Sequence, residues 1–155
     1  MIKYKKPIFG SFKGIFMKEE YLSKSVGDTV SFADRFSSSL SFGDCVALYG
    51  DLGTGKTHFV KGVAAGLGYT GEVTSPTFNI VNEYKGGRLD LYHFDMYRIT
   101  GWDDLDSTGY FEYLESGGVV IAEWSENIEN ALPENAIRVR IERIDDNTRK
   151  ITIER

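Results

Sequence analysis

The sequence predicts an α/β domain built on a mixed parallel and antiparallel sheet. Three observations carry this. A short all-apolar run, "CVALY" (45–49), leads into a glycine-rich turn and then into a segment with one apolar helical face. A second apolar run, "VVIAEW" (119–124), contains an acid at its end. Two further segments alternate apolar and polar residues around the compact turns "KGG" and "DDNT", as hairpins do. Strands that alternate with helices, joined to hairpins, place the chain in the α/β class.

The chain has 155 residues, 41% of them hydrophobic, which suits one globular domain with one core. No apolar run approaches the roughly 18 residues of a membrane span, so no membrane role is expected. The opening "MIKYKKPIFGSFKGIF" is basic, lacks a continuous apolar centre and a small-residue cleavage site, and does not read as a signal peptide. It is set apart as an extra basic segment over residues 1–16, with a single domain over 17–155. The lone cysteine, Cys45, has no disulfide partner, which suits a reducing cytoplasm. The net charge of −5 argues against broad nucleic-acid binding by the chain alone.

The elements follow in order. Val30, Ala33, Phe36 and Leu40 recur at helical spacing, which predicts a helix over about 29–40. Residues 45–49 form a buried strand. Phe59, Val60, Val63, Ala64 and Leu67 make one helical face, which Gly66 and Gly68 close. "FNIVNEY" and "RLDLYHFDMY" flank "KGG" as a hairpin. Residues 101–118 hold one or two short helices. Residues 119–124 are the second apolar strand, "SENIENAL" is a helical turn before Pro133, and "IRVRIERIDDNTRKITIER" is the second hairpin.

Gly50-Asp51-Leu52-Gly53-Thr54-Gly55-Lys56-Thr57 fits G-x-x-x-x-G-K-[ST], a phosphate-binding loop, in its required context of strand before and helix after. Glycines let backbone N–H groups turn inward around phosphates with no Cβ in the way. The helix starting near Lys56 adds its positive N-terminal end. Lys56 reaches the β- and γ-phosphates in such a loop, and the Thr57 hydroxyl ligates Mg²⁺. The expected cradle runs through Asp51, Leu52, Gly53, Thr54, Gly55, Lys56, Thr57 and His58.

Such a site needs an acid near the magnesium. Glu123 follows four apolar residues, the form of a Walker B strand end. The usual residue there is aspartate; a glutamate more often polarises water or binds metal through water. The competing reading is a sheet-edge glutamate in a surface salt bridge. Asp95 ends a row in which Leu89, Leu91, His93 and Asp95 share one strand face, and a carboxylate there needs a partner. Mg²⁺ is favoured over a salt bridge with Arg98. His93 reads as a hydrogen-bonded structural residue rather than a catalyst. In "TSPTF" (74–78), Thr74, Ser75 and Thr77 either meet the γ-phosphate or its water, as switch loops do, or cap a turn. Trp124 either stacks on a base or partner or simply packs.

"GDLGTGKT", "TSPTF", "HFDMYR" and "EW", in this order and at these intervals, resemble TsaE, a family of small bacterial ATPases needed for the threonylcarbamoyladenosine modification of tRNA. The resemblance covers about residues 17–155. It implies a P-loop NTPase-like, three-layer fold with a mixed sheet, and ATP with Mg²⁺ as ligands. It implies Lys56 and Thr57 on phosphates and magnesium, Asp95 as a magnesium-side acid, and Glu123 as the Walker B-like acid. Lys56, Glu123 and Thr77 are the expected catalytic residues, Thr77 through a switch-like loop; Thr57, Asp95 and Glu123 are the expected metal-side residues. Trp124 belongs to the functional surface. TsaB-like and TsaD-like proteins are the implied partners, with tRNA reached only through them. His58 departs from the family, which usually has a second threonine there. Residues 1–16 precede the family-like sequence.

Other classes are less well served. A small-molecule kinase usually carries an arginine-bearing lid, and between Tyr84 and Gly118 only Arg88 and Arg98 are available. A GTP-dependent switch would need an apolar strand before "DSTG" (106–109) and an N-K-x-D segment, and neither exists. A nucleotide-gated binding module with incidental hydrolysis has the same motifs as an ATPase.

Overall fold

A computed structural model describes residues 17–76 and 79–155. Its seven strands are β1 (Lys18–Ser23), β2 (Cys45–Tyr49), β3 (Val81–Tyr84), β4 (Leu91–Asp95), β5 (Val119–Glu123), β6 (Ile137–Arg143) and β7 (Arg149–Glu154). They form one sheet in the order β1-β7-β6-β2-β5-β4-β3. The centre is parallel, with β2 between β6 and β5, and β5 beside β4. The margins are antiparallel: β3 on β4, β6 on β7 and β7 on β1. The predicted α/β class with a mixed sheet, and both hairpins, are therefore present.

Strand burial follows position in the sheet. Every residue of β2 and β5 is buried, as continuous apolar runs in a doubly covered parallel sheet require. Val46 and Leu48 face one core with α1 (Val26–Ser37) and α2 (Lys56–Gly66). Cys45 faces a second core with α3 (Trp102–Asp106), α4 (Tyr110–Glu115) and a 3₁₀ segment, Ser125–Ala131. The result is three layers. Burial pushes the Cys45 thiol up to about 12, so it is a packing residue and not a reactive one. Among the described residues no helix is long and apolar enough to cross a membrane. The segment 1–16 lies outside the described residues.

Two elements differ from the sequence reading. The first helix begins at Val26, not near 29, because Ser25 caps it: its hydroxyl accepts from the Asp28 N–H at 3.0 Å, and Asp28 accepts from the Lys24 N–H at 3.0 Å. The reading followed apolar spacing, which starts a turn late. β1 was not predicted. "KEEYLS" shows too little alternation to read as a strand, yet β7 supplies an antiparallel partner and its charges suit an edge. Tyr21 then stacks on Phe32 with ring centres 4.4 Å apart, joining β1 to α1.

Helices α1 and α2 cross closely at Gly62, where a Cβ would lie 2.3 Å from the Val30 carbonyl oxygen and 2.6 Å from the Ala33 Cβ. Helix propensity favours alanine over glycine by about 1 kcal/mol. Overpacking against rigid backbone costs about 1–3 kcal/mol, so the clash dominates. Gly62→Ala should lower the urea midpoint and the melting temperature. An unchanged midpoint would mean that α1 and α2 separate freely at this contact.

Candidate functional site

β2, β4 and β5 run parallel and end side by side at Tyr49, Asp95 and Glu123. The crevice at the carboxyl ends of such strands is where α/β sheets hold ligands. Gly50 opens the loop after β2 with φ +154°, and a Cβ there would meet Thr54 Oγ1 at 2.6 Å and the Ile141 carbonyl oxygen at 2.8 Å. Only glycine fits that turn. The Thr54 hydroxyl donates to the Asp51 carbonyl oxygen at 3.0 Å and closes the loop on itself. Helix α2 then starts at Lys56, so its unpaired N–H groups and positive end lie at the loop.

A cleft of about 670 Å³ opens over this loop. Of the expected cradle, Leu52, Gly53, Thr54, Gly55, Lys56, Thr57 and His58 line it, and so do Asp95, Glu123 and Trp124. Asp51 lies instead on a second groove behind the loop, with Arg138 and Arg140. Ser75 and Pro76 reach the cleft; Thr77 lies outside the described residues.

Lys56 is buried. Its ammonium donates to the carbonyl oxygens of Gly50 and, at 3.1 Å, of Asp51, and sits 4.0 Å from the centre of the Trp124 ring. Burial pulls its pKa below the ordinary lysine value, opposed chiefly by Glu123 and then by Glu126, Asp95 and Asp51.

Asp95 and Glu123 are register partners on adjacent strands. Glu123 is 4% exposed, on a central strand, which removes the sheet-edge reading. Its Oε2 lies 2.5 Å from His93 Nε2. Asp95 Oδ1 accepts from the Tyr97 N–H at 2.9 Å. Burial raises the Asp95 pKa; the Tyr97 hydrogen bond works against this, and the neighbouring Glu123 adds to it. Among the described residues no ion pair joins Asp95 to Arg98, so the salt-bridge reading of Asp95 falls away. His93 is hydrogen-bonded and fully buried, as expected, but its partner is the candidate acid itself.

Trp124 follows Glu123 with φ +58° and ψ +43°. That left-handed conformation costs roughly 1–2 kcal/mol in a residue other than glycine. The Trp124 ring centre lies 4.9 Å from that of Tyr97, and Asn127 Nδ2 donates to the Met96 carbonyl oxygen at 2.9 Å, fixing the turn between β5 and the segment after β4. Strain of this kind clusters at ligand sites.

Sequence reasoning missed Arg149. From β7 its Nε donates to the Thr54 carbonyl oxygen at 3.0 Å, while Nη1 donates to the Asp145 carbonyl oxygen at 2.9 Å. The guanidinium thus ties the phosphate-loop backbone to the β6–β7 turn. An arginine on an alternating strand reads as solvated, and the only available signal was its place in the second hairpin.

The cleft lining offers hard oxygen donors, Thr57, Asp95 and Glu123, beside the phosphate loop, a helix N-terminus and a lysine. These fit a magnesium-bound nucleotide polyphosphate: Mg²⁺ takes one or two carboxylates plus phosphate oxygens rather than an all-protein cage. Gly53 and Gly55, with φ +79° and +103°, line the cleft and put no Cβ over the loop backbone there.

Comparison with known proteins agrees with this geometry. A family model for "Threonylcarbamoyl adenosine biosynthesis protein TsaE" matches residues 23–151. The tRNA threonylcarbamoyladenosine biosynthesis protein TsaE of Bacillus subtilis is 47% identical over 125 residues, covering 81% of this chain and 78% of the relative. The protein of the same name from Treponema pallidum is 39% identical over 132 residues, covering 85% and 97%. The crystal structure of Bacillus subtilis YdiB superposes with a TM-score of 0.76 at 36% identity, covering 90% of this chain and 86% of that one. The family match spans the phosphate-loop strand and helix, Asp95, Glu123 and the first hairpin, and the chain belongs to the TsaE family of threonylcarbamoyl adenosine biosynthesis proteins.

Proposed function

We propose that this protein binds ATP with Mg²⁺ in the cleft and hydrolyses it slowly, as an accessory to a TsaB–TsaD-like complex that places threonylcarbamoyl groups on adenosine in tRNA. The observation that carries the reading is the juxtaposition of Lys56 and Thr57, on the phosphate loop, with Asp95 and Glu123 in one cleft. The loop amides and Lys56 hold the β- and γ-phosphates; in doing so the Lys56 ammonium exchanges the Gly50 and Asp51 carbonyl oxygens for phosphate oxygens. Thr57 and Asp95 hold the metal side. Glu123 orients the water that attacks the γ-phosphorus, the bond to the β,γ-bridging oxygen breaks, and ADP and phosphate leave. Magnesium held by Thr57 and Asp95 would supply charge neutralisation on the phosphate oxygens. Thr77, next in sequence after Pro76, keeps its role as the candidate residue of a switch-like segment, proposed from the sequence alone.

The net charge of −5 suits a protein that reaches tRNA only through partners. The useful work is therefore a conformational cycle in the partner complex. Reconstitution tests this. Without the protein, modification of tRNA should stop after a few rounds; with it and ATP, modification should continue. Sustained rounds in its absence would sink the assignment and favour a phosphoryl-transfer enzyme with a substrate of its own.

A further inference from the structure

Two buried side chains join the segment after α2 to the acid at the end of β5. His93, on β4, is fully buried, with Nε2 2.5 Å from Glu123 Oε2. Its Nδ1 lies 3.3 Å from the Tyr84 hydroxyl. That hydroxyl donates to the Thr74 carbonyl oxygen at 3.0 Å, and Asn82 Nδ2 donates to the same oxygen at 3.1 Å. Next along the chain, Ser75 and Pro76 line the cleft.

The proton inventory constrains this chain. A buried carboxylate without a donor is costly, so the imidazole presents Nε2–H to Glu123. Nδ1 then faces a hydroxyl with one proton and three neighbours: the Thr74 carbonyl oxygen, His93 Nδ1 and, at 3.4 Å, Asn82 Nδ2, which donates to it. Tyr84 can donate to Thr74 or to His93, not to both. When it turns to His93, Asn82 still serves the Thr74 carbonyl. Every acceptor then has a donor; when the hydroxyl instead serves Thr74, as its 3.0 Å bond does, Nδ1 faces only that hydroxyl's oxygen and the imidazole is held less firmly.

We propose that His93 is the positioning residue of Glu123, and that Tyr84 couples this pair to the backbone at Thr74. This rests on the reading of Glu123 as the acid that orients attacking water. By occupying Oε2, His93 fixes the carboxylate rotamer and leaves Oε1 for water; among the described residues no hydrogen bond is donated to Oε1. A shift of Thr74 with the occupancy of the cleft changes which acceptor Tyr84 serves, and so how firmly the imidazole is held. The acid is set for its task only when the 74–76 segment is in place.

The test compares His93→Leu, which keeps the burial and removes the donor, with His93→Gln, whose amide restores one. ATP turnover, nucleotide affinity and melting temperature are measured for both, with Tyr84→Phe and Glu123→Ala alongside. Loss of a hydrogen bond to a charged group predicts a fall in kcat of about 10- to 100-fold in His93→Leu, with nucleotide affinity within about threefold. His93→Gln should regain most of it, and Tyr84→Phe should lose several-fold. A folded His93→Leu with normal kcat, while Glu123→Ala is inactive, overturns the positioning role and leaves the site reading intact. So does a His93→Gln no better than His93→Leu. If the wild type hydrolyses nothing, or His93→Leu does not fold, NMR of the histidine ring decides. A slowly exchanging His93 Nε2–H signal that disappears in Glu123→Ala supports the pairing, and its absence from the wild type overturns it.

Discussion

Lys56→Ala should abolish ATP hydrolysis while leaving the fold intact. The lysine is buried and its ammonium rests on two loop carbonyls and the Trp124 face. The Gly50 and Asp51 carbonyls belong to the loop itself, and the Trp124 ring is a single contact between the start of α2 and the end of β5; the strands and helices are held by the two apolar cores. On the proposed function the same ammonium would face the β- and γ-phosphates, where negative charge on the bridging oxygen grows in the transition state. Removing one preorganised donor of this kind costs roughly 10²–10³ in kcat. A charged donor shared between two phosphates sits at the upper end of that range or beyond it. Affinity for ATP should fall as well, because the charge acts on the ground state too. The measurement is steady-state phosphate release with circular dichroism on the same samples. Wild-type turnover in a folded Lys56→Ala protein would refute the placement of the phosphates on this loop.

Most of the fold was legible because the sheet centre is written in continuous apolar runs. "CVALY" and "VVIAE" are short apolar runs of the form buried strands take, and both are fully buried strands in the sheet centre. The margins were less legible. β1 carries Lys18, Glu19 and Glu20, and pairs because β7 offers it an edge, a fact of topology rather than of local composition. In the site, the phosphate loop is a contiguous motif and was read residue by residue. Glu123 and Asp95 were read as strand-end acids, and their juxtaposition follows from β4 and β5 being parallel neighbours. The contacts that hold these groups were not legible. Arg149 reaches Thr54 across 95 residues of sequence, and His93 reaches Glu123 across 30. A long-range side-chain hydrogen bond leaves no periodic trace, so one sequence cannot supply it.

The two acids should separate when each is removed. Glu123→Ala should retain nucleotide binding and lose turnover by about 10²–10⁴, the usual contribution of a positioned general base or water-orienting group. Its affinity for ATP should stay level or rise, because a buried negative charge in the cleft is gone; Glu123 is also the charge that most favours the Lys56 ammonium against burial, and its loss limits that gain. Asp95→Ala should behave differently. Asp95 is only partly buried, and one of its oxygens is engaged by the Tyr97 N–H. Its role as a magnesium-side acid predicts that more Mg²⁺ is needed for half-maximal ATP binding, with turnover recovering partly at high Mg²⁺. Titrating magnesium against binding and against turnover in both variants distinguishes the roles. Glu123→Ala should shift the turnover plateau and leave the metal midpoint near that of the wild type, whereas Asp95→Ala should shift the midpoint first. If the pattern is reversed, Glu123 is the direct metal ligand and Asp95 serves the water. If neither variant alters plateau or midpoint, both acids are structural and the hydrolytic reading of the cleft is lost. The chain makes the first outcome the expected one, because Glu123 has already given one oxygen to His93 and retains a single oxygen for one water.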